Sequence, residues 1–224
     1  MTTMKTNPDR SLKSVNMKWL VMLAVLDLFL VLFFVAPEIV KDATLNQLAV
    51  MRGLTTSVVP VVVLLLAGML SHDMKATLVY WKLKNALPGC HAFSRYGPGD
   101  SRIDMVALKK NVGELPTDPV EQNRKWFKLY KMVGSDPVVV EAHRMYLLYR
   151  DMAAMSLPLV ALVPAGMYFV GASIPTRWTV AAIFAVQFLM CVAAARNSGR
   201  RFVCNVLSIH STKKVTNSKP TAAA

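Results

Sequence analysis

Four runs of apolar residues, each close to the length that crosses the hydrocarbon core of a bilayer, constrain this chain more than any other feature. They occupy residues 19–36, 55–70, 152–170 and 178–195. A helix needs roughly 20 apolar residues to span such a core, and hydrocarbon leaves no water for unpaired backbone amides, so runs of this kind fold as transmembrane helices. Asp27 interrupts the first, Pro158 and Pro164 lie in the third, and Gln187 and Cys191 lie in the fourth. Proline is tolerated in membrane helices, and this pair is expected to kink the third span. Lys5, Arg10, Lys13 and Lys18 would suit the head of a signal peptide, but the apolar run is long, holds an acid, and leaves through Ala36 directly into Pro37. It reads as an uncleaved signal anchor.

The positive charges set an orientation. Four Lys and Arg precede the first run, thirteen lie in residues 72–150 and six follow residue 195, against Lys41 and Arg52 in 37–54 and Arg177 alone in 173–177. Positive residues accumulate on the cytoplasmic side, so both termini and the long middle segment are expected in the cytoplasm of a cell whose inner (plasma) membrane holds the chain. This distribution accounts for the net charge of +13 without any need for nucleic acid. The expected fold is an all-α membrane protein with four transmembrane helices, N-in and C-in, helices 2 and 3 extending into a cytosolic helical stalk and cap. The divisions are 1–18 cytosolic, 19–71 the first two spans, 72–151 a cytosolic basic helical region, 152–195 the last two spans and 196–224 a basic, partly disordered tail.

Within the cytosolic region, no breaker follows the second run until Pro88-Gly89, so one helix is expected from residue 55 to residue 87. Residues 88–101 read as loop. Ser101, with Asp104 three residues on, is the expected cap of a short helix ended by Gly113. Asp118-Pro119 with Glu121 marks a second helix to about Val133, and Asp136-Pro137 starts a third that meets no breaker before Pro158. The short turn after Gly171 makes the last two spans antiparallel neighbours. Residues 196–210, mixed basic and apolar, read as a helix along the lipid headgroups.

Three cysteines, Cys90, Cys191 and Cys204, form no CxxC pair, and four scattered histidines form no HExxH, so neither disulfides nor a metal site is expected. No cofactor motif is present. The Gly97-Pro98-Gly99-Asp100 loop lacks the pattern of a phosphate-binding loop, and His91, Ser94 and Asp100 lack the elbow of a hydrolase.

Asp27 is the sharpest candidate, because a carboxylate in mid-span needs a proton or a partner. Gln187 lies at matching depth. The pair serves either ion passage or helix packing. Arg150 and Asp151 sit at the inner end of the third span, as a switch pair or a helix-end anchor. Arg124, Lys125, Lys128 and Lys131, with His143 and Arg144, form a candidate surface for anions or anionic inner-leaflet lipids, or simply a solvated basic face.

Leu87-Pro88-Gly89, Ala92-Phe93-Ser94, Arg102-Ile103-Asp104, Leu115-Pro116, Glu121-Gln122-Asn123, His143-Arg144 and Arg150-Asp151 together resemble a signature of uncharacterised small bacterial integral membrane proteins with four helices. The resemblance implies that fold and carries no activity. The expected function is a membrane sensor or effector whose cytosolic region meets a small ligand or protein; an oligomeric channel or transporter is the alternative, and a membrane enzyme the third.

Overall fold

The structure is a computed structural model and describes residues 12–40, 68–169 and 171–214. Among them it is helical, with no strand. In chain order the helices are α1 (Leu12–Val40), α2 (His72–Tyr80), α3 (Met105–Val112), α4 (Pro119–Val133), α5 (Pro137–Phe169) and α6 (Ile174–Thr212), with a 3₁₀ turn at Pro88–His91 and a π turn at Ala92–Tyr96. The second apolar run, residues 55–70, lies almost wholly outside the described residues. Three helices are long and apolar enough to cross a membrane: Ser14–Phe34 within α1, all of α5 and all of α6.

The chain divides into two compact units. Unit 1 comprises Met1–Lys75 and Leu147–Ala193; unit 2 comprises Ala76–Tyr146 and Ala194–Ala224. Helices α2, α5 and α6 each contribute a part to both.

In unit 1 every helix buries one stripe. On α1 the buried residues are Asn16, Leu20, Ala24, Asp27 and Val31, spaced by three or four so that they share one face. On α6 the buried Val180 and Phe184 continue that spacing into Gln187 and Cys191. The stripe of α5 includes Ala153, Ala154 and Ser156, fully buried; small side chains let neighbouring backbones approach. The opposite faces are apolar and open: Leu26, Phe29, Phe33, Leu162, Trp178 and Met190 are all exposed. A water-soluble surface rarely carries apolar area of this extent, whereas lipid demands it. Both prolines of α5 lie inside an unbroken helix. The α5 C-terminus closes in a Schellman motif: Gly171, at φ 73°, gives its N–H to Tyr168 O, and Ala172 gives its own to Met167 O.

Unit 2 has an ordinary packed core. Its local starts follow the sequence. Asp118 accepts from the N–H groups of Val120 and Glu121, and Asp104 from those of Val106 and Ala107. The cap of α3 is therefore Asp104 and not Ser101, which lies in the preceding turn. The core centres on an aromatic nest. Phe202 of α6 meets Trp126 edge-on at 5.0 Å and stacks on His143 at 4.5 Å, while Tyr130 contacts both Trp126 and Phe202. Gln122, buried, accepts from the backbone N–H groups of Phe93 and Ser94 and donates to Thr117 O at 2.8 Å. That single side chain ties the π turn to α4.

Two expectations are corrected. The helix expected to run unbroken to residue 87 bends at Leu70, restarts under Ser71, whose hydroxyl accepts from Met74 N–H, and ends at Tyr80. Trp81 then takes φ 54°, a left-handed conformation costing a bulky residue on the order of 1 kcal/mol. Arg196 offsets it: its Nε donates to Val79 O, an end carbonyl of α2, and its guanidinium lies 4.3 Å from the Trp81 ring. The segment expected along the headgroups is instead the continuation of α6, and its Phe202, Val203, Val206, Leu207 and His210 are buried in unit 2.

Candidate functional site

Unit 1 places a polar cluster on its buried stripes. Gln187 Nε2 donates to Asp27 Oδ1 at 2.9 Å and to Ser156 Oγ at 3.0 Å, while the Ser156 hydroxyl donates to Met152 O. Asp27 is 4% exposed and Gln187 belongs to the same chain, so the carboxyl faces neither lipid nor open surface. Its Oδ2 has no hydrogen-bond partner among the described residues. One amide thus links three helices, α1, α5 and α6, through two bonds.

A second cluster in unit 1 surrounds Asp151. Its Oδ1 accepts from Lys75 Nζ at 3.1 Å and from Arg150 Nε and NH2 at 3.2 and 3.0 Å. Arg150 NH1 also faces the His72 imidazole, 2.6 Å from Nδ1 and 3.3 Å from Nε2. Neither member of the Arg150–Asp151 pair is a solvated anchor: their side chains are 7% and 10% exposed.

The His72 imidazole is held below its ordinary pKa, first by burial and then by the Arg150 charge, with Asp73 and Asp151 opposing. His91 in unit 2 is lowered likewise, by burial and then by Lys82 and Arg95. A base whose pKa falls on folding binds fewer protons in the folded state, so stability is lost as pH drops below the unfolded value of about 6.5. Thermal unfolding in mild detergent should therefore fall in midpoint between pH 7 and 5. His72→Gln and His91→Gln together should flatten that part of the profile; an unchanged slope would show that both imidazoles protonate freely in the folded chain.

The basic surface expected on α4 is not assembled as one site. Arg124 pairs with Glu121 at 2.8 Å, Lys125 donates to Glu114 O, and Lys131 lies over the Phe127 and Tyr130 rings. Lys128 stays exposed. His143 sits in the aromatic nest with Nδ1 3.2 Å from Tyr130 Oη, and Arg144 forms a two-bond pair with Glu141. Nor do His91, Ser94 and Asp100 converge: they bond to Lys82, Gln122 and Arg102 respectively.

A different set of cations does converge. Lys82, Arg95, Arg196 and Arg200, with His91 and Tyr80, line a cavity of about 330 Å³ within unit 2. Among the described residues no acid lines it. These cations come from the loop after α2, the π turn and α6, so they are scattered along the chain, and their only sequence signal was the acid-free run beginning at Arg196.

None of the three cysteines forms a disulfide, and among the described residues no group of His, Cys, Asp and Glu could hold a metal ion. Comparison with protein-family models, curated proteins and solved structures finds no match to this chain.

Proposed function

We propose that the chain is a four-span membrane protein with cytoplasmic termini, in which a cytosolic unit 2 receives a ligand and α5 and α6 pass its state to the polar cluster of unit 1. The observation that carries this reading is the sharing of helices between the units, α5 and α6 above all, with α2 divided at Lys75/Ala76. The boundary between units falls at Tyr146/Leu147 inside α5 and at Ala193/Ala194 inside α6, with no loop at either. Hinges usually fall at loops or element ends, and neither boundary is one. In unit 1 the same two helices carry Ser156 and Gln187, whose bonds to each other and to Asp27 are the discrete contacts such a displacement would remake. The lipid-facing exposure of α1, α5 and α6 supports the membrane assignment; the fourth span and the orientation rest on the apolar run at 55–70 and on the distribution of Lys and Arg.

The test reverses charge in unit 2 and reads unit 1. Hydrogen exchange of the full chain in nanodiscs, wild type against Lys82→Glu/Arg95→Glu, should show about a fivefold or larger change in peptides covering residues 152–169 and 178–193, the low end of ordinary coupling energies. Changes confined to unit 2 in a folded variant would sink the coupling. The buried Asp27 is the observation that favours a channel instead, and ion flux in proteoliposomes that Asp27→Asn abolishes would establish that reading in its place.

A further inference from the structure

We propose that the unit 2 cavity bounded by Lys82, Arg95, Arg196 and Arg200 binds a phosphorylated ligand carrying at least two negative charges. This names the ligand class of the sensor proposed above, and rests on that reading for its purpose but not for the binding itself.

Four cations line one cavity of about 330 Å³, none of them forms an ion pair with a carboxylate among the described residues, and no acid lines the space. The acid nearest Arg95 in the chain, Asp100, is engaged by Arg102 through both oxygens, at 3.0 and 2.8 Å, and that guanidinium holds its carboxyl well below the usual carboxylate range. Among the described residues, then, no carboxylate compensates the positive potential of the cavity, which suits an anion.

The cations are also preorganised. Arg196 and Arg200 are one helical turn apart on α6 and point toward the same space. Arg196 is fixed by Val79 O and the Trp81 ring, and one terminal nitrogen of Arg200 donates to Gly99 O at 2.7 Å. Lys82 donates to His91 Nε2 at 2.9 Å, which gives the lysine a defined place at the rim. Carbonyl and ring contacts hold these side chains without consuming their charge, so little ordering remains to oppose binding. Guanidinium forks match the oxygens of a phosphate, and several together suit a dianion or polyanion better than a single carboxylate. The volume lies at the small end of sites for small ligands, and a space this compact does not track a nucleic-acid backbone.

A free phosphate ester and a lipid phosphomonoester headgroup share this chemistry. The test uses the full chain in phosphatidylcholine nanodiscs, titrated with inorganic pyrophosphate and inorganic phosphate by calorimetry, alongside flotation with phosphatidylcholine vesicles with and without phosphatidic acid. Saturable binding of pyrophosphate that weakens with salt, and falls about tenfold or more in Lys82→Gln and in Arg95→Gln but not in Lys128→Gln, is the expected result for a soluble ligand. Binding only to the phosphatidic acid vesicles, with the same dependence on Lys82 and Arg95, supports the site with a lipid source. Absence of binding in every arm, or equal weakening by Lys128→Gln, overturns the proposal. Binding that leaves hydrogen exchange in residues 152–169 and 178–193 unchanged would keep the site and remove the coupling.

Discussion

Asp151→Asn should destabilise the folded chain by about 3 kcal/mol or more, the range for removing one partner of a buried charge pair. The size follows from how much one oxygen does. Asp151 Oδ1 receives Lys75 Nζ and two nitrogens of Arg150, and the side chains of Lys75, Asp151 and Arg150 are 9%, 10% and 7% exposed. Neutralising the acid leaves two cations buried side by side, with the His72 imidazole beside Arg150. For a chain of this size the loss should appear as roughly 6–12 °C in unfolding midpoint, measured in mild detergent. The double variant Lys75→Met/Asp151→Asn discriminates the cause. If the loss comes from an uncompensated charge, removing Lys75 as well should return a large part of it, because one cation then remains where there were two. A loss below about 1 kcal/mol, typical of exposed pairs, would mean that water reaches the cluster in the membrane-bound protein.

What the sequence made legible divides along the range of the forces involved. The starts of α4 and α5 could be read because Asp118-Pro119 and Asp136-Pro137 settle the backbone within a few residues; the caps bond to N–H groups two and three positions on. The pairing of Asp27 with Gln187 could be read because hydrocarbon offers a carboxylate so few partners. The end of α2 could not. Trp81 carries no local breaker, and its left-handed turn is held by Arg196, 117 residues beyond the carbonyl it caps. Nor could the helix at 196–210 be placed: its mixed basic and apolar pattern suits a headgroup surface, but the same apolar residues fill the core of unit 2 around Phe202, and its arginines serve the cavity. The contiguous cations of α4 drew attention as a candidate surface, whereas the convergent ones were assembled by folding. A cluster drawn from the loop after α2, a π turn and the far end of α6 leaves no periodicity for a sequence to display.

Gly199→Ala should lower the stability of unit 2 by about 1–2 kcal/mol, although in an ordinary helix the same change raises it by about 1 kcal/mol. The reversal is steric. A Cβ at Gly199 would lie 2.1 Å from Tyr80 Oη, closer than a side chain permits, and 3.1 Å from the Tyr146 ring, a tight contact that asks the ring to give by a few tenths of an ångström. Tyr146 is 3% exposed and cannot swing out. The Tyr80 hydroxyl is buried with no hydrogen-bond partner among the described residues, and burial pushes its pKa far above the ordinary tyrosine value, so it enters the unit as a neutral group. Tyr80→Phe removes the atom nearest the new methyl and, at the same time, a buried polar group whose loss is close to neutral in free energy. The double variant Gly199→Ala/Tyr80→Phe should therefore regain most of the loss, while Gly199→Leu should exceed the alanine effect and resist rescue, because its branches also meet Tyr146. Denaturation of the four proteins in the same detergent reads the coupling directly. If Gly199→Ala raises the midpoint, as it would in an exposed helix, then the close approach of α6 to Tyr80 is absent in solution, and the wall that Tyr80 gives to the basic cavity has to be redrawn.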